Sequence, residues 1–433
     1  MRCSFVHFGD VHLGTQQYDS VERLHDFGAA WLWTCEYIAN LRPDFAICAG
    51  DLFNRFTINP VTFDQALAGL DILRQAGVPI VDIQGNHDRA RYGESRSWLQ
   101  TLASQGLLTY LDVETTTAGP RLLPVEAGKA SGSYVEWAGC RIIGVRYLGA
   151  STERMLDELR PRLEELRDGS FTILVLHAGL EGIVPNFNAE LTASAAERLR
   201  GVVDYVALGH IHKYYALGTF LYNGGSLETW NLSEWEWRRG LLRVEVDTDR
   251  SPAASVEIVD VPKRPFCVMR VDVGEFSDPR ALLRGCFDKL ERESQRDWSE
   301  RPVAILTLNG NLRFASTDVP VNQLEAACKE RLDPLVGIVR EQYNPRNFET
   351  DEFVDEVGQI DRDALERSVL RSRLAEDARF AARAADYAAL ALSLKQRALG
   401  GEDGPGLRDA LRNGLRRLGQ PAVGEAAGTE ESR

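Results

Sequence analysis

Short apolar runs alternate with longer amphipathic stretches along the first part of the chain, and this alternation predicts its secondary structure. The apolar runs predict strands at residues 3–8, 44–50, 78–85, 141–148, 171–179 and 203–210. The stretches between them carry apolar residues at helical spacing and predict helices at residues 20–40, 60–76 and 152–167. Strands that alternate with helices favour an α/β core in which helices cover the strands on both faces.

The pattern changes after two further strand-like segments, "TFLYNGGSLE" and "RGLLRVEVDTD", the second of which ends in a turn. Residues 248–262 interrupt the regular pattern and predict a linker. A smaller α/β unit follows, in which helices near residues 278–292 and 320–331 lie between the apolar strands "CVMRVDV", "VAILTLNG" and "LVGIVREQY".

The last part of the chain is predicted to be mainly helical. Residues 361–399 are rich in Ala and Arg and contain no proline, which predicts one long helix. A Gly- and Pro-containing break separates it from a short helix at 406–418, and the polar end of the chain is predicted to be disordered. The predicted domains are residues 1–247, 263–345, 346–418 (a helical tail) and 419–433 (a disordered tail).

Length and composition agree with a multidomain protein, since 433 residues suffice for two or three domains and 44% of them are hydrophobic. No apolar run reaches the roughly 18 residues that a transmembrane helix needs, and the N-terminus lacks the pattern of a secretory signal. The seven cysteines are scattered without a C-x-x-C pair, which is typical of a reducing compartment. We therefore expect a cytoplasmic protein.

The net charge of −14 argues against a general binder of polyanions, because phosphate affinity depends largely on Lys and Arg. A local basic groove, or a partner that supplies a positive surface, is compatible with this charge.

Five short motifs rich in His and Asp coincide with the ends of predicted strands, namely "GDVH", "GDLF", "GNHD", "LHAG" and "GHIH". They contain five of the seven histidines: His12, His87, His177, His210 and His212. Side chains beyond the carboxyl ends of strands in an α/β sheet face a common crevice. Each motif alone is common in loops that bind no metal, but five of them in this order indicate one shared site.

The spacing and chemistry of these residues predict a metal centre. Asp10 with His12 and His210 with His212 are i, i+2 pairs, whose side chains point the same way on extended backbone. Oxygen and imidazole donors without thiolates suit Mn²⁺, Fe²⁺ or Zn²⁺. Seven ligands exceed the needs of one zinc and suit two ions that stabilise both flanking oxygens of a phosphoryl displacement. Asp51 is the natural carboxylate to bridge them.

The ordered motifs resemble the signature of the calcineurin-like metallophosphoesterases. Longer segments, "FVHFGDVHLGTQQY", "AGDLF", "GNHDRARYG" and "YVALGHIHKYY", resemble one branch, the meiotic-recombination-eleven family of DNA double-strand-break repair nucleases, whose bacterial counterpart is SbcD. The resemblance is close over about residues 4–240 and weaker through "KRPFCVMRVDV". It implies a four-layer α/β sandwich, a smaller α/β capping domain that binds DNA, and a C-terminal helical tail.

The resemblance also implies roles for the site residues. One metal would be held by Asp10, His12 and His212, the other by Asn86, His177 and His210, with Asp51 between them. His87 would contact the scissile phosphate and help the leaving oxygen depart, and we expect Asp88 to orient His87. The implied reaction is hydrolysis of DNA phosphodiesters by an exonuclease or endonuclease, with two divalent ions, usually Mn²⁺.

Three positions depart from the family pattern. Many members carry histidine at the position of Asn54, where histidine is associated with exonuclease action. Ala178 stands where glutamine is frequent, and Gly224 replaces a proline. Asn54 therefore bears on the choice of DNA substrate more than on metal binding.

The remaining predictions concern DNA and partners. Arg55, Arg89, Arg91 and Arg96 follow the metal motifs and are candidates for phosphate contacts, with ordinary solvated arginines as the alternative. Trp230, Trp235 and Trp237 are expected to pack between domains rather than stack on bases. The chain has no G-x-x-x-x-G-K-[ST] motif, so an ATP-driven activity would need an SMC-like coiled-coil ATPase (SbcC or Rad-fifty type) docked on the C-terminal helices. The resemblance implies a homodimer, located in the cytoplasm at the nucleoid.

Two other functions remain open. The first is a calcineurin-like phosphodiesterase or phosphatase that acts on nucleotides or other phosphoesters; Asp88 and the sequence "GDLFNR" argue against it, because phosphatases typically have G-N-H-E and G-D-x-x-D-R-G. The second is a catalytically silent scaffold, and the presence of all seven ligands argues against that.

Overall fold

The computed structural model describes residues 1–126, 128–345, 362–377 and 379–418. The start of the predicted helical tail, residues 346–361, and the predicted disordered tail, 419–433, lie outside the described residues. The chain divides into two compact units. The first contains Met1–Phe266 and Trp298–Val303, and the second contains Cys267–Asp297 and the described residues from Ala304 onwards.

The first unit contains fifteen strands and five α-helices among its described residues. The strands are β1 (Arg2–Phe8), β2 (Phe45–Cys48), β3 (Ile80–Asp82), β4 (Thr109–Leu111), β5 (Glu114–Thr116), β6 (Gly119–Arg121), β7 (Ser131–Gly132), β8 (Tyr134–Trp137), β9 (Cys140–Val145), β10 (Phe171–His177), β11 (Tyr205–Gly209), β12 (Tyr215–Leu217), β13 (Leu221–Asn223), β14 (Leu241–Asp247) and β15 (Ala254–Val259). The helices are α1 (Val21–Leu41), α2 (Pro60–Ala76), α3 (Trp98–Ser104), α4 (Thr152–Glu165) and α5 (Ala193–Glu197).

Most of these strands form two large sheets. The first sheet has the order β15-β14-β1-β2-β3-β4-β7 and the second has the order β12-β13-β11-β10-β9-β8. The strands β1, β2, β3 and β4 are mutually parallel, and so are β9, β10, β11 and β13. Their carboxyl ends therefore lie at one edge of each sheet, which is where the five motifs begin.

Three apolar layers hold the two sheets and the helices together, as alternation along β1 illustrates. Val6 and Phe8 pack with residues of α1, α2 and α3 on the outer face of the first sheet. Phe5 packs between the two sheets with residues of β10 and β11. A third cluster joins the outer face of the second sheet to α4 and α5. The predicted four-layer α/β sandwich is confirmed.

Local sequence signals explain where the predicted helices begin and end. Ser20 caps α1 by accepting a hydrogen bond from the backbone amide of Arg23. Asn59 caps α2 in the same way, Pro60 occupies its first position, and Gly77 ends it with a left-handed φ of 72°. The predicted helix at 60–76 therefore has the predicted bounds.

The linker predicted at 248–262 is wrong, since it contains β15. This strand pairs antiparallel with β14 and extends the first sheet at its edge. The turn residues that precede it conceal an alternating pattern in which Ala254, Val256 and Ile258 pack toward the layer between the sheets.

The second unit contains a three-stranded sheet of order β16-β17-β18 with helices against it. Its elements are β16 (Phe266–Asp272), α6 (Pro279–Ser294), β17 (Val303–Asn311), α7 (Val321–Leu332) and β18 (Val336–Asn344). Leu282, Leu306 and Leu324 are fully buried in its core. These strands and helices agree with the sequence prediction.

The single long helix predicted at 361–399 is wrong, because the structure has α8 (Arg362–Glu376) and α9 (Ala384–Leu399), followed by α10 (Gly404–Arg417). The side chain of Asp377 accepts hydrogen bonds from the backbone amide and the guanidinium of Arg379. Such local bonds compete with helical ones and stop α8. No helix in the described part of the chain is long and apolar enough to cross a membrane.

Candidate active site

The ligands predicted from the motifs lie together at the carboxyl edge of the two sheets. Asp10 and His12 follow β1, Asp51 follows β2 and Asn86 follows β3, all in the first sheet. His177 is the last residue of β10, and His210 and His212 follow β11 in the second sheet. The parallel register pairs His177 with Gly209, next to His210. Residues about 200 positions apart thus become neighbours.

The first half of the site consists of Asp10, His12 and His212, whose ligand atoms lie within 4.8 Å of one another. The Nε2 atoms of the two histidines are 3.0 Å apart, and Asp10 Oδ1 lies 4.0 Å from His12 Nε2 and 3.8 Å from His212 Nε2. His12 is buried, and its Nδ1 has no hydrogen-bond partner among the described residues. Two imidazoles that face each other beside a carboxylate suit a cation between them.

The second half of the site centres on His177. Its Nδ1 donates to the carbonyl oxygen of Ala49 at 2.8 Å, so Nε2 is the atom that faces the site. That Nε2 lies 3.0 Å from Asn86 Oδ1 and 3.2 Å from Asp51 Oδ2. The His210 ring lies beside His177, with 5.0 Å between ring centroids, and its Nε2 faces Glu190 at 3.4 Å. His210 therefore has only Nδ1 left as a ligand atom.

Asp51 lies between the two halves. Its Oδ2 is 3.2 Å from His177 Nε2 and 3.8 Å from His12 Nε2. Its other oxygen, Oδ1, accepts the backbone amide of His87 at 2.9 Å. The position of Asp51 suits the bridging role expected from the sequence. His87 lies within the same ligand spacing as His12 and Asp51, so distance alone does not separate it from the ligands.

Burial and charge act against each other in this cluster. Burial raises the pKa of Asp10 despite the histidines around it. Burial also opposes ionisation of Asp51, but the adjacent His177 holds the Asp51 pKa well below its usual range. Burial would lower the pKa of His177, and the charge of Asp51 outweighs it and raises that pKa to about 10. The carboxylates of the cluster thus favour bound positive charge. A metal cation can supply that charge in place of protons.

Four of the seven predicted ligands have strained backbone. Asp10, His12, Asp51 and His210 all have positive φ, between 52° and 92°, a region that costs non-glycine residues free energy. Gly85 is required here for a different reason, since a Cβ at this position would lie 2.0 Å from Asp51 Oδ1. The motif glycines therefore serve the close approach of the loops as well as their turns.

The predicted role of Asp88 as the residue that orients His87 is wrong. The Asp88 carboxylate accepts hydrogen bonds from the backbone amides of Asp51 at 2.7 Å, Phe53 at 2.9 Å and Gly85 at 3.2 Å. It therefore holds the loop that carries Asp51 against the loop that carries His87. His87 Nδ1 instead donates to the carbonyl oxygen of Asn54 at 2.7 Å.

Two glutamates that the sequence analysis missed support the ligands. Both carboxylate oxygens of Glu234 lie 3.0–3.1 Å from His212 Nδ1, which leaves Nε2 to face the site. Glu190 faces His210 and also accepts from the Tyr147 hydroxyl at 3.0 Å and the Gly179 amide at 2.9 Å. Burial would raise the pKa of Glu190, and His210 lowers it to about 2. Glu234 had one sequence signal, an Asn-x-x-Glu capping box that begins at Asn231.

Other predicted contacts lie around this centre. Trp230 lies beside three site histidines, with its centroid 5.4–5.9 Å from those of His12, His87 and His212. The four predicted DNA-contacting arginines, Arg55, Arg89, Arg91 and Arg96, are all exposed. Arg89, Arg91 and Arg96 line one surface depression, Arg55 lines another, and the Arg89 guanidinium lies 5.0 Å from the Tyr147 ring centroid.

The donor set fits divalent ions that accept oxygen and nitrogen ligands. It contains carboxylates, imidazoles and one amide oxygen, and no thiolate. The imidazole pair, with its Nε2 atoms 3.0 Å apart, indicates a place built for cations rather than for hydrogen bonds alone.

Comparison with known proteins agrees with this geometry. A sequence model described as calcineurin-like phosphoesterase matches residues 3–214. The DNA double-strand break repair protein Mre11 of Archaeoglobus fulgidus is 31% identical over 239 residues, which are 53% of this chain and 51% of that protein. Mre11 of Aeropyrum pernix is 27% identical over 314 residues, or 70% and 72% of the two chains, and Mre11 of Methanocaldococcus jannaschii is 26% identical over 305 residues, or 67% and 77%.

The chain thus spans about half the length of the Archaeoglobus fulgidus relative, and the phosphoesterase sequence model covers the residues that carry all five motifs. Residues 3–214 therefore form a calcineurin-like phosphoesterase domain, and the chain is similar in sequence to the Mre11 repair proteins.

Proposed function

We propose that this phosphoester hydrolase is a DNA nuclease with a two-metal centre. The observation that carries the proposal is the position of Asp51 between the two halves of the site. Its Oδ2 lies 3.2 Å from His177 Nε2 in the second half and 3.8 Å from His12 Nε2 in the first. Two divalent ions bound as a pair would suit displacement at a phosphodiester. The relatives are DNA double-strand break repair proteins, which supports DNA as the substrate.

The chain's own residues divide the work. Asp10, His12 and His212 would hold one ion, and Asn86, His177 and His210 the other, with Asp51 shared; we propose Mn²⁺ for both. Such ions would supply Lewis-acid stabilisation of the charge that develops on the phosphate. Asp88 and the two glutamates keep these ligands in place.

We assign to His87 the transfer of a proton to the leaving oxygen. Its Nδ1–H is committed to the carbonyl of Asn54, and its backbone amide is committed to Asp51 Oδ1. The remaining ring nitrogen, Nε2, is the atom that can carry a proton to an alkoxide. Exposed arginines near the site, Arg55, Arg89, Arg91 and Arg96, would bind flanking phosphates and offset the acidic net charge locally.

Partners and location belong to the same proposal. The full sequence has no phosphate-binding loop for ATP, so coupling to ATP would require a second protein, and we propose an SMC-like ATPase that docks on α8, α9 and α10. We also propose a homodimer that works at the nucleoid in the cytoplasm.

The deciding experiment offers Mn²⁺-loaded protein end-labelled duplex DNA, hairpin DNA and circular single-stranded DNA, with His87→Ala as the control. We expect cleavage of at least one DNA by the native protein and a loss of about 100-fold or more in His87→Ala. Hydrolysis of p-nitrophenyl phosphate without cleavage of any DNA, even with the ATPase added, would replace the nuclease with a phosphatase. Cleavage that persists in His87→Ala would remove the proposed role of that residue.

A further inference from the structure

The segment Glu228–Glu234 follows β13 and lies against the site without supplying a metal ligand. It is firmly held, because buried Arg23 donates to the carbonyl of Thr229 at 3.0 Å and pairs with Glu228 at 3.3 Å. Its second half is fixed by the capping box of Asn231 and Glu234. A segment anchored at both ends can set the position of the side chain between them, which is Trp230.

Trp230 contacts the site in two ways. Its half-buried ring lies on the rings of His12 and His212, at 5.5 Å and 5.4 Å between centroids, and on the ring of His87 at 5.9 Å. Its indole Nε1–H donates to the side-chain oxygen Oδ1 of Asn54 at 2.9 Å. The Asn54 side chain is therefore turned to Trp230 and engaged there.

Asn54 connects this contact to His87. It is 8% exposed, and its backbone amide donates to the carbonyl of Leu13 at 2.9 Å. Its own carbonyl oxygen receives Nδ1 of His87 at 2.7 Å. A carbonyl oxygen can only accept, so this contact requires the proton on Nδ1 and leaves Nε2 as the variable atom of the ring.

We propose that Trp230 is a positioning residue for His87, which acts through Asn54: the indole fixes Asn54, and the Asn54 carbonyl fixes the ring orientation and tautomer of His87. The inference deepens the proposed function, on which its catalytic consequence rests. The same segment supports the metal ligand His212 through Glu234. Trp230 and Glu234 thus act on different imidazoles, and their substitutions should produce different defects.

The first test needs no catalysis. Nuclear magnetic resonance of protein with isotope-labelled histidine reports the tautomer of each neutral imidazole, in metal-free protein and with diamagnetic Zn²⁺. In the native protein we expect the Nδ1–H form at His87. Trp230→Phe keeps an aromatic ring but removes the donor, and we expect a mixture of tautomers at His87. Glu234→Gln should leave His87 unchanged and alter His212 instead.

The second test is kinetic. Trp230→Phe should lower kcat about tenfold, the usual scale for a residue that orients a functional imidazole, with KM and metal affinity within about twofold of native. Asn54→Leu, which removes the side-chain oxygen that accepts from the Trp230 indole, should give the same loss of kcat. The variant with both substitutions should lose no more than either single variant. Asn54→Asp, which retains an acceptor, should recover most of kcat. Trp33→Phe on α1, outside the site, is the matched control for loss of an indole.

Three results would overturn the proposal. The first is an unchanged Nδ1–H tautomer of His87 in Trp230→Phe. The second is additive losses in the double variant. The third is weakened metal binding in Trp230→Phe that matches the defect of Glu234→Gln, which would make Trp230 a packing residue for the metal ligands. Failure of the native protein to cleave any DNA would contradict the proposed function and leave the tautomer result standing.

Discussion

The two halves of the site use similar ligands but support them differently. In the first half, His212 is backed by the buried carboxylate of Glu234, and Trp230 covers the pair it forms with His12. In the second half, His177 is backed by a neutral main-chain carbonyl. His210 is backed by Glu190, at the longer distance of 3.4 Å.

This difference predicts unequal affinities for the two ions. A carboxylate behind an imidazole increases the basicity of the ligand nitrogen more than a neutral carbonyl does. Glu190 also divides its hydrogen bonds among His210, Tyr147 and Gly179. The second half is also the more open one, since Phe187 beside His210 is 39% exposed. We infer that the first half holds its ion more tightly and that the second half faces the substrate.

Asp51→Asn should weaken metal binding in both halves of the site and so remove the difference between them. It should have the largest effect of the substitutions considered. Loss of the shared charge should lower phosphodiester hydrolysis about a thousandfold, since metal stabilisation of a transition state is worth several kcal/mol. It should also abolish most of the rise in Tm that Mn²⁺ gives the native protein. Bis-p-nitrophenyl phosphate hydrolysis and thermal unfolding with and without Mn²⁺ measure the two effects.

The control is Asp71→Asn, which neutralises an aspartate on α2 whose side chain is 44% exposed. It should match the native protein in both measurements. An Asp51→Asn variant with native Mn²⁺ stabilisation would show that Asp51 is not shared between two ions.

Substitution of the two supporting glutamates tests the inequality directly. Glu234→Gln should weaken one of two Mn²⁺ binding events by about 10- to 100-fold, because His212 loses its charged partner. Glu190→Gln should weaken the other event by less, since its contact with His210 is longer and the Tyr147 and Gly179 bonds remain available. Calorimetric titration of each variant with Mn²⁺ resolves the two events.

If both variants weaken the same binding event, the division of the site into two halves is wrong. If Glu190→Gln has the larger effect, the halves exist but the order of their affinities is reversed.

The sequence predicted the ligand loops but not the residues behind them. Motif residues converge because parallel strands place their carboxyl ends at one edge, and this follows from the period of the apolar runs. The direction of a side chain within a loop has no such rule. Asp88 was therefore expected at His87, although it binds backbone amides, and Glu190 gave no local signal at all.

The same limit applies to the fold. The strands and helices of the first unit were predictable where apolar residues recur at regular spacing. β15 was missed because a turn-rich stretch precedes it, and the break between α8 and α9 was missed because Asp377 and Arg379 are both compatible with a helix. A hydrogen bond from a side chain to nearby backbone can decide where a helix ends, and the amino-acid composition does not reveal such a bond.

His7 separates the pH dependence of the fold from that of the site. It lies inside β1, where Nε2–H donates to the carbonyl of Leu208 at 3.0 Å and Nδ1 accepts from the Tyr205 hydroxyl at 3.1 Å. Burial lowers the pKa of His7 to about 4, against a reference of 6.5, and the Leu208 bond only partly offsets it. The unfolded chain therefore binds this proton more readily, so His7 contributes stability above about pH 6.5 that is lost as pH falls toward 4.

His7→Gln should reduce that loss, which is on the order of 3 kcal/mol for a shift of this size. Glutamine can donate to Leu208 and accept from Tyr205 without a titrating proton, so hydrolysis at neutral pH should stay within about twofold of native. Urea unfolding across this pH range measures the effect, and His25→Gln, at an exposed position of α1, is the matched control. If the free energy of unfolding changes with pH equally in His7→Gln and in the native protein, the acid sensitivity belongs to the histidines in the two halves of the site instead.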